Sequence, residues 1–121
     1  MRRALTFGTL LAALPLIAWT SAASAQDRTP VGEVCVQHNG VFFPEVYVTL
    51  TGPEGPRREH RSLRTGQTHC TPFMNTDNDA YVEVLTRRGE SKDCQFSVKG
   101  RTGRLMVFMS GIVGSIQLTC P

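Results

Sequence analysis

The chain lacks a helical period. Nowhere between residues 26 and 121 do apolar residues recur at the three-and-four spacing of an amphipathic helix. That excludes helix bundles and the α/β folds that depend on crossover helices. Motifs of the common enzymes are also missing: there is no G-x-S-x-G, no H-E-x-x-H and no glycine-rich phosphate cradle. Serines and histidines are present, but no spacing ties a nucleophile to a base, so no enzymatic activity is expected. A hydrolase whose active site is scattered along the sequence is the alternative. No C-x-x-C pair occurs, which disfavours a four-cysteine metal site, and no cofactor is expected.

A membrane span is missing too. The longest apolar stretch, residues 4–20, is interrupted by Pro15 and falls short of the ~20 residues a span needs. With Arg2 and Arg3 before it and Ala23-Ser24-Ala25 after it, this stretch reads as a secretory leader over residues 1–25. No cysteine follows the cleavage site to carry a lipid anchor, and residues 26–121 form one domain free of a span. Two of the 13 basic residues leave with the leader, so 11 remain against 10 acidic ones. Without a clustered excess of cations, nucleic acid is not an expected partner.

What remains is a strand grammar. In residues 34–37, Val34 and Val36 alternate with Cys35 and Gln37; then comes Asn39-Gly40, and Val46, Val48 and Leu50 alternate with Tyr47, Thr49 and Thr51. A period of two on both sides of an Asn-Gly signal predicts two antiparallel strands joined by a turn. Residues 53–60 read as a loop, and 61–65 as a weak edge strand suited by its polarity to an unpaired side. Gly66-Gln67 turns the chain, 68–73 returns, and 75–79 is a cluster of turn-forming residues. Residues 80–86 form a strand with Ala80, Val82 and Val84 on one face. Cys94, Phe96 and Val98 share the next inward face, and Ile116 and Leu118 point inward in the last strand. The expected fold is all-β: a small, single-domain, disulfide-bonded antiparallel β-sandwich of about eight short strands.

Four cysteines, Cys35, Cys70, Cys94 and Cys120, allow three pairings into two disulfides, the expected state in an exported protein. Up-and-down strand alternation would put Cys35 with Cys120 and Cys70 with Cys94. Face parity points elsewhere: Cys94 and Cys120 fall on inward faces, whereas Cys35 shares its face with Gln37 and Cys70 with Thr68.

The strand order resembles the transthyretin-like sandwich modules, including the carboxypeptidase-regulatory type. The likeness runs from the Asn39-Gly40 turn and its following proline, through Thr51-Gly52 and the Asp-rich turn, to Tyr81-Val82-Glu83-Val84 and the Gly89 turn. The Asp-Gly usual before the tyrosine is Asp79-Ala80 in this chain. The resemblance implies that the first and fourth strands are neighbours. With face parity, this favours Cys35–Cys70 and Cys94–Cys120.

Several residue clusters have a plain structural reading beside a functional one. Asn75, Asp77 and Asp79 alternate as oxygen ligands do at the start of a calcium loop, but Ala80 and Thr86 stand where such a loop needs Gly and Glu. A hydrogen-bonded turn is the expectation. His38, His60 and His69 read as surface residues, and no metal site is expected. Leu105, Met106, Val107, Phe108 and Met109 are apolar on both faces, as in a covered central strand or a subunit interface. Phe42 and Phe43 sit at a connection that alternation places beside Arg87, Arg88 and Lys92. Aromatics near arginines have the composition of an interface anchor.

The functional expectation is therefore an exported, non-enzymatic binding or inhibitory module, periplasmic or secreted. Phe42, Phe43, Arg87 and Arg88 would contact a protein or an anionic envelope polymer. A self-associating surface subunit, a homo-oligomer through residues 105–109, is the other alternative.

Overall fold

The computed structural model describes residues 29–121; the leader over 1–25 lies outside them. Eight strands follow one another: β1 (Pro30–His38), β2 (Pro44–Gly52), β3 (Gly55–Ser62), β4 (Thr68–Met74), β5 (Asp79–Thr86), β6 (Ser91–Ser97), β7 (Gly103–Ile112) and β8 (Ser115–Thr119). They form two four-stranded sheets, ordered β4-β1-β7-β8 and β3-β2-β5-β6. Every pairing is antiparallel except β1 with β7. The fold is the expected disulfide-bonded β-sandwich.

Alternation explains the layers. In β2 and β5 each inward residue is buried and each outward one is half-open or, at Leu85, exposed, so Val46, Val48, Leu50, Ala80, Val82 and Val84 face the other sheet. Val34, Val36, Phe73, Val107, Met109 and Ile116 answer from the opposite layer. A fully buried aliphatic side chain of this kind contributes about 1.5–3 kcal/mol.

Two expectations about connectivity are corrected. β1 and β2 are not a hairpin, because they lie in different sheets. Past His38 the chain continues beside β7, with Asn39 N–H donating to Met109 O (2.7 Å) and Val41 N–H to Gly111 O (2.9 Å), and only then crosses over. Gly40 is needed for that close approach: a Cβ there would sit 2.7 Å from the Gly111 carbonyl oxygen. The second correction concerns 53–65. The strand is β3, Gly55–Ser62, and most of the stretch read as a loop belongs to it. β3 is an edge strand whose charges are all engaged locally. Outward, His60 stacks on Tyr47 (4.6 Å between rings) and Arg58 lies over the same ring at 4.2 Å. On the other parity, Arg57 and Glu59 reach toward the other sheet.

The two open sides of the sandwich are closed differently. Cys94–Cys120 ties β6 to the segment after β8, while Cys35–Cys70 joins the neighbouring strands β1 and β4. On the β3/β4 side, Arg57 Nη1 and Nη2 donate to Asp77 Oδ1 and Oδ2 at 2.9 and 2.8 Å. Asp77 is 2% exposed and also accepts from Met74 N–H at 2.8 Å. Burial pushes its carboxyl up, but the bonds from Arg57 and Met74 and the Arg57 charge outweigh burial and hold it below the usual carboxylate range. Because the folded-state pKa is the lower one, this contribution is complete above the unfolded value near 4 and is lost as pH falls through the folded value. Asp77→Asn is expected to flatten the fall in urea midpoint between pH 4 and pH 2.5. Asp77→Ala is expected to cost about 2 kcal/mol at pH 7, since it removes a charged acceptor from three donors. An unchanged acid dependence in Asp77→Asn would remove this pair from the stability account.

Candidate functional site

The connections at 39–43, 63–67, 87–90 and 113–114 gather at one end of the sandwich. His38 organises the first of them. Its ring is 0% exposed, which corrects the surface reading of this histidine. Nε2–H donates to Phe42 O (2.8 Å) and Nδ1 accepts from Gly40 N–H (3.2 Å), the tautomer that satisfies both backbone groups. The ring also packs against Phe42, with centroids 4.5 Å apart. The 63–67 connection is tied to this loop by Thr65 Oγ1 donating to Gly40 O at 2.6 Å and Gly66 N–H donating to His38 O at 2.7 Å. Across the end, the Glu90 carboxylate accepts from Gly114 N–H (2.7 Å) and Ile116 N–H (3.1 Å). Both pairs of connections are therefore held before any partner arrives.

This scaffold separates the two phenylalanines. Phe42 is 5% exposed and belongs to the core, together with buried Leu63; Phe43 is 74% exposed, with Val41 at 71%. Adjacent side chains on extended backbone point opposite ways, and the end of the sandwich takes one ring only. Phe42, Phe43, Pro44, Leu63 and Val113 contribute the apolar walls of an open cleft of about 750 Å³. Arg64 and Arg87 line it as well, while Arg88 is exposed on the same turn but outside the lining. Glu45 is the one carboxylate among the described residues of the lining, and it is already engaged: Ser62 Oγ donates to it at 2.7 Å and His60 Nε2 bonds the same oxygen. The Ser62 and His60 hydrogen bonds hold its carboxyl below the usual range.

Arg64, Leu63 and Val113 were not singled out by sequence reasoning. Their assembly with Phe43 depends on which connections share an end, and alternation along one strand does not encode that. Arg87 at this end follows from counting strands up and down.

The remaining candidates sort differently. The 105–109 stretch lies in β7, which is flanked by β1 and β8. Val107 and Met109 are buried inward, Leu105 packs on the same core, and Met106 and Phe108 face outward, Met106 half-buried and Phe108 37% exposed. His69 sits beside Glu59 and Thr71: His69 Nε2 and Thr71 Oγ1 both contact Glu59 Oε1, at 3.1 and 2.8 Å, and each other at 3.4 Å. Burial pushes the Glu59 carboxyl up, and these two partners bring it below its usual value. A nucleophile relay needs hydroxyl and carboxylate on opposite nitrogens of the ring. Here both meet Nε2, so the group clamps the edges of the two sheets. Asp77 is committed to Arg57, leaving Asn75 and Asp79 without the middle member of the alternating set.

No protein-family model and no curated protein matches the sequence. Among solved structures, the fold is similar to part of several toxins. A non-hemolytic pneumolysin from Streptococcus pneumoniae matches at 10% identity and TM-score 0.52, covering 74% of this chain and 23% of that one. Listeriolysin O matches at 9% identity and TM-score 0.51, covering 74% and 22%. Intermedilysin, in a structure with human CD59, matches at 16% identity and TM-score 0.51, covering 75% and 24%. This chain thus spans about a quarter of the length of these proteins, and at such identities the likeness is one of fold.

Proposed function

We propose that the protein is an exported, non-enzymatic binding or inhibitory module that captures a protein partner at its loop end, in the periplasm or outside the cell. One observation carries the reading: Phe43 stands 74% exposed on a loop hydrogen-bonded to His38 and to the 63–67 connection, in a cleft also lined by Arg64 and Arg87. An exposed aromatic contributes little to the monomer, and a rigid one loses little freedom on binding. Export is supported by the two disulfides, which persist in oxidising compartments, and by the leader read over residues 1–25. The non-enzymatic part is the reading taken for the Glu59, His69 and Thr71 cluster, whose hydroxyl and carboxylate both meet the same ring nitrogen. The strand-order likeness to transthyretin-like modules stays part of the proposal, as a relation of architecture alone.

The test is quantitative co-purification from native extract with the intact chain and its Phe43→Ala variant. A partner retained at least tenfold less by the variant is the expected result; equal retention would overturn the loop end as the site. Retention that survives protease treatment of the extract would point to an anionic envelope polymer instead.

A second reading has its own observation. Phe108 and Ile112 lie exposed on β7; Phe108 is flanked by Gln37 of β1 and Thr119 of β8, and Ile112 by Val41 and by Ser115 of β8. Since β7 has neighbours on both sides, strand addition there is excluded and association would have to be face to face. Light scattering at micromolar concentration decides: a defined oligomer dispersed by Phe108→Ser favours self-assembly, and a monomer favours the module.

A further inference from the structure

We infer that the loop-end cleft recognises an acidic, apolar peptide segment: one large apolar side chain flanked by carboxylates. The inference rests on the loop end being the docking site and adds the chemistry of what docks there. Three features of the cleft point the same way. It is a recess with an apolar part, in which Phe42, Leu63 and Pro44 line the space with the exposed Phe43. A recess of about 750 Å³ falls within the range that encloses a compact ligand group. A concave recess selects a protruding side chain, whereas a flat surface would not enter it.

The second feature is the sign of the charge. Arg64 and Arg87 contribute two guanidinium groups, and no salt bridge to either is present among the described residues. Glu45 takes the Ser62 and His60 hydrogen bonds on Oε2 and feels the Arg87 charge, but makes no direct ion pair with that arginine. Guanidinium groups pair with carboxylates through two parallel hydrogen bonds, which favours a peptide acid over a diffuse anion. A basic segment would set like charges against both arginines. The third feature is preorganisation: the Gly40 and His38 carbonyl bonds to the 63–67 connection keep the recess open in the free protein.

The experiment uses the folded chain 26–121 and three labelled eight-residue peptides in fluorescence anisotropy. The first has a central Phe-Leu pair flanked by aspartates, the second replaces the aspartates by lysines, and the third replaces Phe-Leu by Ala-Ala. The first is expected to bind at least tenfold more tightly than either of the others. Phe43→Ala and the double variant Arg64→Ala/Arg87→Ala should each weaken it at least tenfold. Raising salt from 50 to 300 mM should weaken binding of the first peptide, because the carboxylate–guanidinium contacts are screened. Equal binding of the first two peptides, or none by the first at millimolar concentration, overturns the inference. So does tighter binding to alginate or to phosphatidylserine vesicles that the Arg64→Ala/Arg87→Ala pair abolishes and Phe43→Ala leaves intact. The two claims fail separately: if the peptides fail while native-extract capture still depends on Phe43, only the acidic chemistry is wrong. If capture ignores Phe43, the docking site itself is wrong.

Discussion

Reduction of the two disulfides is expected to lower the melting temperature by well over ten degrees. Cys35–Cys70 and Cys94–Cys120 span 35 and 26 residues of sequence. Closing loops of that length restricts the unfolded chain by about 3.5–4 kcal/mol each. In a domain of this size ~1 kcal/mol corresponds to about 4–8 °C, so the pair is decisive for a small sandwich of limited core. The two bridges act at different places. Cys35–Cys70 reinforces strands that already pair, whereas Cys94–Cys120 closes the β6/β8 side, where the two sheets do not share a hydrogen-bonded ladder. Cys94→Ser/Cys120→Ser should therefore also speed amide exchange in β6 and β8, and Cys35→Ser/Cys70→Ser should spare that edge. Denatured, unreduced protein should show no thiol reactive with maleimide. Two or more thiols per chain, or a melting temperature that reduction leaves unmoved, would contradict the account.

The second large effect separates the adjacent phenylalanines. Phe42→Ala should cost about 3 kcal/mol of folding stability, because it empties a core site and takes away the ring packed on His38. Phe43→Ala should stay within about 0.5 kcal/mol, the range of surface substitutions, since its ring is 74% exposed. Urea titration of the two single variants beside the parent measures both. Large losses at both positions would mean that both rings plug the end of the sandwich, and Phe43 would then no longer stand as an anchor.

Much of this fold is legible in the sequence because burial imposes a period of two. Val46, Val48 and Leu50, and Ala80, Val82 and Val84, declare both a strand and its inward face. Face parity, joined to the strand order implied by the transthyretin-like resemblance, leads to the observed disulfides: Cys35 and Cys70 are register partners in β1 and β4. What alternation cannot encode is which sheet a strand joins. β1 and β2 look like a hairpin around Asn39-Gly40, yet the glycine serves a close passage beside Gly111, and the partner of β1 on that side is β7, some 70 residues away in sequence. β3 escaped because an edge strand can do without apolar alternation: Arg57 and Glu59 bond groups across the gap between sheets, and Arg58 and His60 cover Tyr47. His38 looks like a surface residue in sequence because its burial depends on two local backbone partners, Gly40 N–H and Phe42 O, that composition does not reveal. The candidate site was half visible. Two adjacent phenylalanines must diverge, but the meeting of Phe43 with Arg64 and Val113 follows from three connections converging in space.

The most direct test of the loop end as the docking surface is hydrogen–deuterium exchange of the protein alone and in the complex captured from native extract. The account predicts that amides gaining protection cluster at 39–43, 63–65, 87–88 and 113. Protection confined to the opposite end, at 53–54, 75–78 and 98–102, or to the outer face of β7, would contradict it.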